Sequence, residues 1–191
     1  MAKLIPLLLI TVLLLGCTVR DNIDIDKQSE IKEGLSPSEP QSEVKKMEIL
    51  SSAFDDGDEI PIKYTCDDED ISPPLEFSDI PEEAKSLVLI LDDPDAPKET
   101  WTHWLVFNIP VNATEVDEGK EPKGTAGENS WGKLGYGGPC PPDGEHKYIF
   151  KLFALDLKLD LPEGSNKNDV EAAMEGHILE KAELIGKYER K

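Results

Sequence analysis

The hydrophobic pattern is dominated by two short apolar runs separated by a stiff acidic loop. Leu87–Leu91 (LVLIL) and Trp104–Phe107 (WLVF) are too short for helices and suit buried strands. Between them, two prolines within Asp92–Pro97 (DDPDAP) fix the backbone and remove two amide donors. The pattern predicts two adjacent strands that carry three aspartates and His103 to one end. A rigid loop of this kind often builds a binding site, although an acidic hairpin tip with a structural histidine would have the same residues.

Strand signals continue through most of the chain, separated by Gly, Pro or Asp residues. In the last long run, alternation places Tyr148, Phe150, Leu152 and Ala154 on one face. No segment before Leu87 has the period of a helix, so we expect a mainly β domain. Further strands are predicted at Ile49–Phe54, Ile60–Thr65, Leu75–Phe77, Tyr148–Leu155 and Ala182–Tyr188.

One segment, Asn168–Lys181 (NDVEAAMEGHILEK), has helical periodicity. Asn168 or Asp169 suits its N-cap, and Gly176 is a candidate break within it. His177 falls on the apolar side of this helix. We therefore expect His177 to be a core histidine rather than a ligand.

The amino terminus resembles an export signal. Residues 1–16 hold one lysine followed by a dozen almost entirely apolar residues, too few for a comfortable membrane span. They lead into Leu14-Leu15-Gly16-Cys17, which resembles the lipobox of prokaryotic lipoproteins, with Cys17 as the lipid-bearing first residue. An ordinary secretory signal with a stray cysteine is the alternative. Residues 17–46 are polar and lack aromatics, so we expect a lipidated cysteine and a disordered tether, followed by one domain at 47–191.

The strongly acidic composition limits the classes of partner. The formal net charge of the 191 residues is −20 at pH 7. Such a surface repels phosphate backbones and anionic headgroups, which argues against nucleic acid and against membrane adhesion through a basic patch. We expect membrane attachment through Cys17 alone.

Several motifs, in this order, resemble the phosphatidylethanolamine-binding protein family, most closely its bacterial and archaeal Raf-kinase-inhibitor-like branch. The likeness spans roughly residues 47–190. It rests on DPDAP at 93–97, WxH at 101–103, GYxGPCPPxG at 135–144 and HxY at 146–148, with Cys66 before SPPL at 72–75 and the ending GH…LxGxY at 176–188.

The resemblance implies a fold with a large central sheet packed on a smaller sheet, plus a few short helices. It also implies a pocket for phosphate-like or carboxylate anions. This sequence departs from the animal members of the family in two ways. The loop from Pro142 to His146 is shorter, and the C-terminal helix that gates the animal pocket has no recognisable counterpart. Carried onto this chain, the pocket residues are Asp93, Ala96, Pro97, Trp101, His103, Tyr136, Gly138, Pro141, Pro142, His146 and Tyr148.

The chemistry of this set favours anion binding. A carboxylate such as Asp93 raises the pKa of a neighbouring imidazole, so we expect His103 and His146 to gain charge as the pH falls toward 6. Tyr148 and backbone amides of the glycine-rich loop would add neutral donors, with Pro97 as the floor of the pocket. A metal held by two histidines and a carboxylate is the competing interpretation.

The cysteines bear on compartment and on catalysis. An oxidising compartment favours a bridge between Cys66 and Cys140, and two buried free thiols are the alternative. No serine or cysteine lies in a nucleophile elbow, so we expect no enzymatic activity, no cofactor and no metal.

Two function classes remain open from the sequence. The first is an exported, membrane-tethered protein that binds a small anion or a phospholipid headgroup. The second is a regulator of a partner protein, such as an inhibitor of a peptidase. An intact anion pocket is compatible with both classes.

Overall fold

The computed structural model describes residues 45–191. The predicted leader at 1–16, Cys17 and nearly all of the predicted tether lie outside the described residues. Within residues 45–191, no helix is both long enough and apolar enough to cross a bilayer.

The described residues form two antiparallel sheets with one 3-10 turn and one α-helix. The small sheet has the strand order β1-β2-β5, and the large sheet has the order β6-β4-β3-β7-β8. This arrangement confirms the predicted fold class. In chain order the elements are β1 (Glu48–Leu50), the 3-10 turn (Ile62–Tyr64), β2 (Leu75–Ser78), β3 (Ser86–Asp93), β4 (Trp101–Ile109), β5 (Glu115–Val116), β6 (Thr125–Ala126), β7 (Glu145–Leu155), α1 (Lys167–Met174) and β8 (Ile178–Glu189).

The large sheet separates two apolar cores. Its front face, which we define as the face that carries Leu89, packs with Phe77 of the small sheet. Its back face carries Ile90 and packs with Met174 of α1. β3 is the central strand and is covered on both faces, so all of its residues are buried. The face predicted for β7 is confirmed, because Tyr148, Phe150, Leu152 and Ala154 all lie in the front core.

Of the two predicted N-terminal strands, Ile49–Phe54 is wrong in part and Ile60–Thr65 is wrong. Only Glu48–Leu50 of the first region is a strand, and Ile62–Tyr64 of the second is a 3-10 turn. A strand would place Ile60, Ile62 and Tyr64 on one face. In the structure Ile60 and Tyr64 are buried whereas Ile62 is exposed, and this spacing matches one helical turn.

The predicted helix is also too long. α1 ends at Met174, and the chain turns at Gly176, whose φ of +80° is a conformation that glycine adopts without strain. The chain then enters β8 at Ile178, where Lys181 is paired with Phe153 of β7. Residues 178–181 are therefore strand, because pairing with β7 outweighs their preference for helix.

The cap and the histidine of this region differ from the prediction. The N-cap is Asn166, whose side chain accepts a hydrogen bond from the Asp169 amide at 3.1 Å. His177 lies outside the helix and is only partly buried, with its Nδ1 atom 2.9 Å from Asp156 Oδ1. His177 is therefore not a core residue.

A disulfide joins Cys66 to Cys140. It connects the acidic loop after the 3-10 turn to the glycine-rich loop before β7, across a sequence separation of 74 residues. A backbone hydrogen bond of 3.1 Å from the Cys66 amide to the Pro139 carbonyl strengthens the same connection. Of the two alternatives for these cysteines, the structure has the bridged one.

Candidate functional site

Three strand ends of the large sheet meet at one edge. β3 ends at Asp93, while β4 begins at Trp101 and β7 begins at Glu145. Because β3 runs antiparallel to both neighbours, its C-terminal end lies beside their N-terminal ends. Asp93 is paired with Trp101, and Asp92 with Ile149. This register gathers polar residues from three separate segments at one place.

A β-bulge in β4 determines where His103 points. Trp104 and Thr102 are paired with consecutive residues of β3, so His103 is an extra residue without a partner on that strand. Simple alternation would place His103 and Trp104 on opposite faces. The bulge instead turns His103 toward the front, where its ring packs edge-on against Tyr148 with the centroids 5.2 Å apart.

Asp93 and His146 form a buried pair. Nδ1 of His146 lies 2.8 Å from Oδ2 of Asp93. The other oxygen of Asp93 accepts from the Asp95 amide at 2.9 Å, and Asp95 in turn accepts from the Lys147 amide at 2.9 Å. Because a carboxylate only accepts, Nδ1 of His146 carries a proton, and Nε2 is the nitrogen left for a ligand.

His103 has the same tautomer for a different reason. Its Nδ1 atom donates to the Gly137 carbonyl at 2.8 Å, which leaves Nε2 as its free nitrogen. The side chain is buried, and burial lowers the pKa of His103, although the bond to Gly137 and the charge of Asp93 oppose this shift. Burial therefore moves the expected gain of charge on His103 to lower pH than that of an exposed histidine.

Two buried donors of this site lack acceptors among the described residues. They are the Tyr148 hydroxyl and Nε1 of Trp101. Burial, together with the charge of Asp93, raises the pKa of Tyr148, so its hydroxyl stays protonated. Buried polar groups nearly always have partners, and an unmet donor costs about 1–3 kcal/mol. Both atoms are therefore donors whose acceptors do not lie among the described residues.

Trp131 covers the site from outside. Its ring packs edge-on against His103, with centroids 4.9 Å apart, and against Trp101 at 5.4 Å. Its side chain nevertheless remains 43% exposed. The sequence alone predicts that Trp104 and Trp131 belong to the core or to a pocket wall. Trp104 is core, and Trp131 is an outer wall.

The glycine-rich loop contributes shape rather than free amides. The Gly137 amide donates to the His103 carbonyl at 3.0 Å, and the Gly138 amide donates to Asp70 Oδ1 at 2.7 Å. A Cβ atom on Gly138 would lie 2.5 Å from the Tyr64 carbonyl oxygen, so only glycine fits there. The expectation that the amides of this loop face an anion is wrong for these two residues.

Behind the site, Asp92 holds the sheet together from the back face. Its buried carboxylate accepts from the Thr102 hydroxyl at 2.9 Å, from Lys151 at 2.8 Å and from Lys167 at 2.6 Å. Thr102 also accepts, through its carbonyl, from the Ser130 amide at 2.9 Å. Since Asp92 and Thr102 precede Asp93 and His103 in the chain, this network supports both site residues.

Comparison with known proteins identifies the family. The statistical model of the phosphatidylethanolamine-binding protein family matches residues 50–189. The chain belongs to this family. A UPF0098 protein of Methanothermobacter thermautotrophicus is 54% identical over 150 residues, which cover 75% of this chain and 99% of that protein. A UPF0098 protein of Aquifex aeolicus is 50% identical over 152 residues, 75% of this chain and 89% of that protein.

Solved structures of phosphatidylethanolamine-binding protein relatives share the fold. A phosphatidylethanolamine-binding protein homologue of Chlamydia trachomatis superimposes with a TM-score of 0.74 at 46% identity, over 76% of this chain and 99% of that one. YbcL of Escherichia coli, described as a member of the mammalian family, gives 0.72 at 31% identity, over 77% and 100%.

The family motifs do not all contribute equally to the site. Pro97 is exposed on the loop after β3, and its role as the floor of the pocket stays a prediction. Ala96 is half-buried, Pro141 is buried and Pro142 is exposed. Tyr136 donates its hydroxyl to the Tyr64 carbonyl at 2.7 Å and so anchors the loop. The contacts of Asp93, Trp101, His103, His146 and Tyr148 bring these five together.

A metal centre in the phosphatidylethanolamine-binding protein pocket receives no support from the geometry. Within residues 45–191, no three His, Cys, Asp or Glu side chains are grouped so that they could hold a metal ion. Both oxygens of Asp93 already accept hydrogen bonds from His146 and Asp95.

Proposed function

We propose that this protein binds a small anion, such as phosphate or the phosphate of a phospholipid headgroup, and that it is not an enzyme. Membership of the phosphatidylethanolamine-binding protein family supports a binding function. Cys140, which lies beside the site, is held in a disulfide and is unavailable as a nucleophile.

The observation that carries the proposal is the pair of buried donors without acceptors, the Tyr148 hydroxyl and Trp101 Nε1. The site's one buried carboxylate, Asp93, has both oxygens engaged by its neighbours. The groups left for a ligand are therefore donors, together with Nε2 of His103 and of His146. An anion is the ligand that accepts from several donors at once.

Binding of the anion is linked to protonation. A neutral imidazole with its proton on Nδ1 presents a lone pair at Nε2, which repels an anion. His103 and His146 become donors at Nε2 only when each takes up a second proton. Because burial lowers the pKa of His103, the part of the increase in anion affinity that comes from this residue lies at lower pH than the protonation of an exposed histidine.

We also propose export and a lipid anchor at Cys17. The support is the sequence pattern, in which a lysine and a dozen apolar residues precede Gly16-Cys17. An acidic chain with a net charge of −20 would not adhere to an anionic bilayer by its surface, so a covalent lipid is the consistent means of attachment.

The test is a phosphate titration followed by NMR of the imidazole resonances at pH 7.5 and pH 6. We expect shifts of His103 and His146, with tighter binding at pH 6. Replacing either histidine by Ala should weaken binding by about 1–3 kcal/mol, the range for a lost charge-assisted hydrogen bond.

The matched control is His177→Ala, because His177 lies outside the site and also pairs with an aspartate. This variant should bind phosphate like the wild type, and the remaining spectrum reports whether each variant is folded. If phosphate leaves the resonances of His103 and His146 unmoved at both pH values, the protein does not bind anions here.

A further inference from the structure

The loop between β6 and β7 holds the indole of Trp131 in a fixed position beside β4. The Trp131 amide donates to Oδ1 of Asn129 at 3.0 Å, which closes a tight turn. The Ser130 amide donates to the Thr102 carbonyl at 2.9 Å, and the Thr102 amide donates to the Ser130 hydroxyl at 2.8 Å. Because Thr102 precedes His103 on β4, these bonds hold Trp131 next to His103.

Gly137 leaves the space that the indole occupies. A Cβ atom on residue 137 would lie only 2.7 Å from Cζ3 of Trp131, so a side chain there would displace the ring. The carbonyl of the same glycine accepts from Nδ1 of His103 at 2.8 Å. One residue of the glycine-rich loop therefore both orients His103 and lets Trp131 pack on it.

Trp131 lies between the His103 ring and solvent. His103 is only 2% exposed, and among the described residues its ring packs edge-on against Trp131 and Tyr148. Tyr148 is completely buried, whereas Trp131 is 43% exposed. Of these two aromatic neighbours, Trp131 is the one that faces water, so its removal would expose the His103 ring.

We propose that Trp131 keeps water away from His103 and thereby sets the pH at which the site takes up a proton. Trp131 is a positioning residue in this role, because it acts through His103. Exclusion of water disfavours a charged imidazole, since the charge loses its hydration. The consequence for anion affinity rests on the proposed function, whereas the effect on His103 does not.

The other charges near His103 stay in place when Trp131 is replaced. The titratable groups on the surrounding elements are Asp92 and Asp93 of β3, His146 and Tyr148 of β7, and Glu128 and Lys133 of the loop that carries Trp131. The glycine-rich loop faces His103 with the backbone of Gly137 and Gly138. The aspartates and these backbone groups raise the pKa of His103, but burial outweighs them and lowers it. Admission of water weakens the dominant cause.

The experiment follows the imidazole resonances of ligand-free protein by NMR between pH 8 and pH 4. We expect Trp131→Ala to shift the protonation midpoint of His103 upward, toward that of an exposed histidine. Trp131→Phe, which keeps a smaller ring in place, should shift it in the same direction by less and serves as the test if the alanine variant does not fold. Leu134→Ala is the matched control, because Leu134 is 49% exposed nearby and should leave the midpoint unchanged. The His177 resonance, outside the site, should not move in any variant.

Phosphate titrations of the same variants separate this inference from the proposed function. The pH at which phosphate affinity rises should move upward together with the His103 midpoint. If the midpoint rises but phosphate binds at no pH, the anion site is wrong and the exclusion of water by Trp131 stands. An unchanged midpoint in folded Trp131→Ala, or an equal shift in Leu134→Ala, would overturn the inference. A downward shift would overturn it too, because the indole would then stabilise the charged imidazole through its π face.

Discussion

Asp92 offers the sharpest test of how the sheet supports the site. Its carboxylate is completely buried on the back face and accepts hydrogen bonds from Thr102, Lys151 and Lys167. We propose the variants Asp92→Ala, which removes all three bonds, and Asp92→Asn, which removes the charge and keeps an acceptor for Thr102.

The expected loss follows from the exposure of the partners. Breaking a buried ion pair usually costs about 3–5 kcal/mol, because a charge is left without a partner or water. Here Lys151 and Lys167 remain 21% and 20% exposed, so each ammonium reaches water after the change. We therefore expect Asp92→Ala to lower the free energy of unfolding by about 3 kcal/mol, the lower end of that range. For Asp92→Asn we expect about 2 kcal/mol.

The pH dependence has a definite sign. Burial alone would raise the pKa of Asp92, but the hydrogen bonds and charges of Lys151 and Lys167 outweigh it and hold the pKa below its ordinary value. A carboxyl group whose pKa is lower in the folded state stabilises the protein above the unfolded pKa of about 3.9, and this stabilisation is lost as the pH falls through the folded pKa. The difference in the free energy of unfolding between the wild type and Asp92→Asn should therefore decrease as the pH falls.

Urea unfolding at pH 7 and pH 3 measures both effects. The control is Glu171→Gln, which removes the exposed contact of 3.7 Å between Glu171 and Lys167 and should cost less than about 1 kcal/mol. The reasoning would be refuted if Asp92→Ala lowered the free energy of unfolding by less than about 1 kcal/mol. It would also be refuted if the difference in this free energy between the wild type and Asp92→Asn were the same at pH 7 and pH 3.

The remaining predictions concern the two uses of cysteine. Replacing Cys66 and Cys140 together by Ser should lower the free energy of unfolding by roughly 4 kcal/mol, the chain-entropy value for the closed loop, and reduction of the wild type should match it; equal urea midpoints with and without reductant would contradict this. Cys17→Ser should move the protein from the membrane fraction to the soluble or secreted fraction, and a variant that stays in the membrane fraction would count against the lipid anchor.

The strands of the large sheet could be predicted because their signals are local. β3 is buried on both faces, so it appears in the sequence as an unbroken apolar run. β7 has a clear alternation, since its front face lies in the core. Prediction fails where pairing with a distant strand determines the secondary structure. Lys181 is an example, because its partner Phe153 lies in β7. Residues 178–181 have helical propensity, and the long hairpin with β7 overrides it.

The candidate site could also be predicted only in part from the sequence. Its motif residues could be listed from the sequence, but their directions could not. The bulge that turns His103 forward depends on the register between β3 and β4, which no local pattern specifies. The free nitrogen of His103 depends on the Gly137 carbonyl, which lies on another segment. The spacing of Trp131 and His103 in the sequence does not predict that their rings are in contact. The sequence therefore predicts only that Trp131 belongs to the core or to a pocket wall.

The proposed anion site belongs to a protein with a net charge of −20, so a local source of positive charge would favour binding. The residues that converge at this site, Trp101, His103, His146, Tyr148 and Asp93, include no lysine or arginine, so protons on the two imidazoles are the remaining source. Each proton that the site takes up offsets one charge of the ligand, and the net charge of the complex then changes little. The acidic surface consequently adds little further repulsion when the site is filled. Proton-linked binding thus reconciles the acidic composition with an anionic ligand.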